Sequence, residues 1–249
     1  MNNLNFFVSN KKCTVKYFMN FIKDFSTTTA ILLFAQSEKV ESSLKPIVLN
    51  SKQNVLLWKK LNGKVLKTIQ KTQLSYFVSN ETNQVGSTFG EKITHAIQEI
   101  FAQGFEKVIV VGNDCIALKA QHLFQAEHDL QSNHLVIGAD YSGGAYLIGL
   151  TKSKFKAEPF KTIPWQTKKV FSALQNLYNI QSIGFLPSLA DCNSASDFKK
   201  ALYDLPYFSA IKKILLSFLF VPKQQDKFES NFIVNHYYTT RFNKGSPIL

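Results

Sequence analysis

The chain has 249 residues and a net charge of +12, with 45% hydrophobic and 18% charged residues; this excludes general disorder and fits one large α/β domain or two small ones. Its basicity is lysine, Arg241 being the only arginine, so sequence-specific nucleic-acid binding, which favours arginine's planar fork, is not expected. Three cysteines (Cys13, Cys115, Cys192) with no C-x-x-C pair, and histidines without metal-ligand spacing, argue against a disulfide framework or structural zinc.

Reduced thiols suit a cytoplasmic setting. No secretory signal is evident, and the most apolar run, Ile214 to Val221, is too short to span a bilayer. Residues 1–26 read as an N-terminal extension packed on the domain, residues 27–205 as the α/β domain, and 206–249 as a C-terminal helix and tail.

Thr29 to Phe34 is a continuous apolar run, as expected of a strand buried on both faces. A lysine- and serine-rich segment, Ser37 to Lys52, precedes a helical stretch from Val55 to Thr72 and a second strand, Leu74 to Val78. Asn83 to Ser87 is a loop. Phe89 to Gln103 has helical spacing, with Ile93, Ala96, Ile97, Ile100 and Phe101 on one face and Gly104 at its end. Lys107 to Val111 is the best buried strand, and it runs into Gly112-Asn113-Asp114. A helix over Leu118 to Leu130 follows, then strands His134 to Ile137 and Ala145 to Leu150. The remaining elements are a helix over Thr167 to Tyr178, a strand over Gln181 to Leu186 and a helix from Ser194 to Tyr203. The alternation predicts a three-layer α/β/α fold around a mostly parallel sheet.

Such sheets bind ligands beyond the carboxyl ends of their strands, which singles out Asp114, Asp140 and Ser142. An acid just past a buried strand suits Mg²⁺ or Mn²⁺, and a neighbouring glycine lets a ligand approach the backbone; a solvated turn is the other reading. Ser142-Gly143-Gly144 permits a tight turn beside a substrate, or is an ordinary hairpin connection. Asp191 could approach a metal or a ribose, while Asn193 or Ser194 caps the next helix. Trp165 could stack on a sugar or base, or belong to the core. Cys115 and Cys192 read as small buried hydrophobes.

In order, these motifs resemble a bacterial family of glycosyltransferase-like proteins, long known only as a domain of unknown function, with some members assigned to arsenosugar biosynthesis. Gln84 to Lys92 matches its Q-x-G-x-x-L-G-E-R, Gly112 to Ile116 its G-[ST]-D-x-P, and Ser142 to Leu150 its D-G-G-Y-x-L-I-G-L. Ile163 to Trp165 matches its I-x-W, and Leu189 to Asp197 its L-x-D-x-D-T-x-x-D. The resemblance implies the nucleotide-diphospho-sugar transferase (GT-A, Rossmann-like) fold. It implies a metal on Asp114, catalytic roles at Asp114, Ser142 and Asp191, and a nucleotide-sugar or nucleotide held by Gln84, Gly86, Gly112, Asn113, Gly143, Gly144 and Trp165. The chain departs where the family's phosphate loop, K-x-P-x-x-G-x-x-K-T-R-L, is replaced by Ala35 to Pro46, and where Ile116, Ser142 and Asn193 stand for proline and two aspartates. A metal-dependent nucleotide-sugar transferase is the leading expectation. A catalytically degenerate scaffold or binding paralogue and a nucleotidyltransferase are the alternatives.

Overall fold

In the computed structural model the described residues are 28–219. The expectations for the N-terminal extension and for the tail from Pro222 lie outside them. A six-stranded sheet has the order β2-β1-β3-β5-β4-β6. Its strands are β1 (Thr29–Phe34), β2 (Ser75–Ser79), β3 (Lys107–Val111), β4 (Leu135–Asp140), β5 (Ala145–Thr151) and β6 (Ile183–Leu189). All pairings are parallel except those of β5, which runs antiparallel between β3 and β4.

Strand alternation sends successive side chains to opposite faces, and both faces are covered. Leu32, Val108, Val110 and Ile137 pack against α3 (Phe89–Ala102) and, through Phe160 and Leu174, against α5 (Ala157–Lys161) and α6 (Val170–Asn176). Ile31, Leu33, Ile109 and Val136 pack against α2 (Ser51–Gln70) and α4 (Ala120–Asp129). The expected three-layer α/β/α fold is therefore the fold observed. A third apolar cluster joins Leu57, Trp58 and Leu61 of α2 to Phe198 of α7 (Ala195–Tyr203) and Leu215 of α8 (Ala210–Ser217).

Local signals explain most boundaries. Thr88 caps α3 in a reciprocal box with Glu91, Asn50 caps α2, and Ser194 caps α7. The segment 37–52 is more ordered than its composition indicates. Ser37 caps a helix α1 (Glu38–Leu44), and α2 begins at Ser51. The helix expected over Thr167 to Tyr178 is shorter, because Thr167 turns back through its hydroxyl to Pro164 O and Lys169 N.

Candidate functional site

The chain moves from β1 to β2 in one direction along the sheet, and from β3 towards β4 in the other. The chain therefore leaves β1 and β3 in opposite directions, and it is at such a reversal, beyond the carboxyl edge, that open α/β sheets form a ligand crevice. The residues that gather there come from the ends of β1, β3, β4 and β6.

Asp114 follows β3 and does not stand free. Lys45 Nζ donates to its Oδ2 at 2.7 Å, with both side chains mostly buried. The same ammonium lies 5.6 Å from the centre of the Trp58 ring. Burial alone would lower the Lys45 pKa, but the Asp114 carboxylate outweighs it and holds the ammonium above its usual value. The main chain of Lys45 is fixed too, its carbonyl accepting from Asn54 Nδ2 and Trp58 Nε1 at 3.1 Å each.

Asp191 follows β6 and is stitched to Asp114 through the backbone. Cys115 and Asp191 form an isolated antiparallel bridge, and Cys192 N donates to Asp114 O at 3.0 Å. Asp191 Oδ1 is buried without a hydrogen-bond partner. Burial, followed by the charges of Asp114 and Asp140, raises the Asp191 carboxyl well above the usual range. Glu41 of α1 is likewise raised, first by its own burial. Cys115 and Cys192 are buried free thiols, each pushed up by burial.

Asp140 ends β4 and orders the hairpin. Its Oδ1 accepts from the backbone N–H of Ser142 and of Gly144. Ser142 is exposed at the tip. Gly143 has φ +93°, and a Cβ there would overlap Lys168 O, so the turn requires glycine.

Buried Asn113 donates to Asn62 Oδ1 at 2.8 Å, and Asn62 in turn donates to Gln36 O at 3.4 Å. Gln36 Nε2 reaches Gln84 Oε1 at 3.2 Å. This amide relay connects Gln84 to the β3 loop. Val85 and Gly86 line a hollow of about 290 Å³ beside α3, with Glu91, Thr94 and His95. Trp165 packs among Phe89 and Phe160 and donates Nε1–H to Phe160 O at 3.0 Å. The fold thus brings together Gly112, Asn113, Asp114 and Asp191, with the Asp140–Gly144 turn beside them. Gln84 is reached only through the relay, and Gly86 and Trp165 lie along α3.

Reading the motifs missed Lys45 and Glu41. Both lie in the loop that departs from the family pattern, and their position just after β1 was the available signal. Mg²⁺ or Mn²⁺, implied by the resemblance, needs several carboxylate oxygens free to converge. Among the described residues no three His, Cys, Asp or Glu side chains are grouped in that way. A divalent ion on Asp114 would have to displace Lys45, so the donor set as arranged does not fit one.

Residues 54–167, a little under half of the chain, match the family model described as "Uncharacterized protein conserved in bacteria (DUF2064)". This range contains four of the five motifs that carry the resemblance; the Asp191 motif lies beyond it. A "putative nucleotide-diphospho-sugar transferase" from Desulfovibrio desulfuricans G20 superposes with a TM-score of 0.68 at 22% identity, over 77% of this chain and 94% of that one. A Mycobacterium sp. strain JC1 homolog of Mycobacterium tuberculosis Rv0371c aligns at 9% identity and a TM-score of 0.43, over 77% and 97%. No curated protein matches the chain. The resemblance read from the sequence stands, and the first neighbour shares the fold. Among the described residues no helix is long and apolar enough to cross a membrane.

Proposed function

We propose that the crevice binds a nucleotide-sugar and transfers the sugar to an acceptor, in the manner of a glycosyltransferase. The observation that carries this reading is the convergence of Lys45, Asp114, Asp140 and Asp191 at the carboxyl edge, where the strand order reverses. Charged and polar groups on rigid strand ends are what a polar ligand with an anionic leaving group requires. The buried, unpartnered Asp191 Oδ1 is an acceptor suited to a sugar or ribose hydroxyl. The fixed turn at Gly143 and Gly144 would bound the acceptor side.

A non-catalytic binding role is the second reading. It is favoured by the closed Lys45–Asp114 pair and by the exposed Ser142 hydroxyl where the family has an aspartate. Calorimetric titration with UDP-, GDP-, CDP- and dTDP-sugars tests the proposal. Binding of one class, with release of its nucleoside diphosphate when acceptors are supplied, is the expected result. Binding without turnover selects the scaffold role. No binding by folded protein defeats the proposal.

A further inference from the structure

We propose that Lys45 takes the place of a divalent metal at this site, so that nucleotide-sugar binding here is metal-independent. This inference rests on the reading above and adds its charge requirement. The argument begins with position. Asp114 closes β3 at the crevice, where a diphosphate-bridging cation would need a carboxylate oxygen, and Lys45 Nζ already sits on that oxygen at 2.7 Å.

The lysine is built in, not draped over the surface. Its carbonyl is held by buried Asn54 and Trp58. Its ammonium is stacked over the Trp58 ring and anchored on Asp114. Asn54 further ties this segment by accepting from Ile47 N and Val48 N and donating to Ser42 O. With its main chain fixed and its ammonium held by both the carboxylate and the ring, Lys45 competes with any cation for the same oxygen. An ammonium has three N–H donors, and the bond to Asp114 engages one. The others suit oxygens of a phosphate, to which lysine binds as a point charge.

Two measurements test this. Mn²⁺ is titrated into the full chain and followed by electron paramagnetic resonance, with no nucleotide present. The wild-type protein should show no site-specific Mn²⁺ binding; a tight site that Asp114→Ala abolishes would overturn the inference. Calorimetry with the four nucleotide-sugars is then run in EDTA and in Mn²⁺. Equal affinity in both, about tenfold or more weaker in Lys45→Met and largely kept in Lys45→Arg, supports the inference. Binding that appears only with Mn²⁺ overturns it and leaves the transferase reading intact. Absence of binding in both conditions, by protein of native circular dichroism, overturns that reading and this inference with it. The EDTA comparison uses wild-type protein, so it decides the matter even if Lys45→Met does not fold.

Discussion

Asn54→Ala should damage both stability and site. The Asn54 side chain is buried and makes five hydrogen bonds. Its Oδ1 accepts from Ile47 N and Val48 N, and its Nδ2 donates to Ser42 O, Ser42 Oγ and Lys45 O. Alanine fills none of these roles. Ile47 is itself buried, so its N–H is left unpaired away from water. An orphaned buried group costs about 1–3 kcal/mol. Lys45 O keeps Trp58 Nε1, and Ser42, only partly buried, retains some access to water. With two backbone donors abandoned and a small void added, the loss sums to about 3–5 kcal/mol. For a chain of this size that is about 10 °C in Tm. Urea denaturation followed by circular dichroism should show a lower midpoint with unchanged slope. Asn54→Asp, which turns a carboxylate oxygen toward the Ser42 and Lys45 carbonyls, should be no milder. A melting temperature for Asn54→Ala within about 2 °C of wild type would refute the view that this side chain organises the Lys45 segment.

Thr88→Ala removes the cap of α3 and half of its reciprocal box, and should cost about 1 kcal/mol in urea denaturation. Glu91, lowered to about 2 by hydrogen bonds from Ser87 and Thr88, supplies stability that is present above its unfolded value of 4.5 and fades as pH falls towards 2. Glu91→Gln should flatten that acid limb. A methyl at 138 would overlap the Tyr146 ring, so Gly138→Ala should destabilise by about 1–3 kcal/mol, measured by thermal melting. Asp191 has the opposite sign: its folded pKa is raised, so its contribution is full below the unfolded value of 3.8 and is lost as pH rises through the folded value. Asp191→Asn should remove that loss from a stability–pH profile. Trp165→Phe forfeits the bond to Phe160 O, so about 1 kcal/mol should go while nucleotide-sugar affinity in calorimetry holds; a loss of affinity at unchanged stability would instead favour stacking on substrate.

The layers of the fold were legible because their signals are local. Thr29–Phe34 and Lys107–Val111 are apolar at nearly every position, and strands buried on both faces need no tertiary information to be recognised. Asp114 and Asp140 were legible as acids after strands, and Asp191 as an acid just before a capped helix. Helix α1 was not, because it is one short amphipathic turn region whose buried member is a glutamate. A charged side chain facing inward defeats any reading by hydrophobic period. The pairing of Lys45 with Asp114 spans 69 residues and depends on β1 and β3 lying side by side, which only the sheet order fixes. Trp165 was left between a stacking and a core role; its ring packs on Phe89 and Phe160 while staying only partly buried.

Charge balance at the crevice bears on the choice among transferase readings. Glu41, Asp114, Asp140 and Asp191 face the same edge as Lys45, and the family's Lys-Thr-Arg loop is missing. Phosphate oxygens entering that edge meet like charge, and each added phosphate worsens the encounter in a low-dielectric crevice. Burial acts against part of this, because it disfavours the charged forms of Glu41 and Asp191 and raises both. A diphosphate ester held by the Lys45 ammonium is compatible with that balance. A nucleoside triphosphate carries more charge and needs the cationic loop that this chain lacks. Under the transferase reading proposed above, a sugar-diphosphate donor therefore suits this edge better than a nucleoside triphosphate, on grounds independent of the fold that the two activities share.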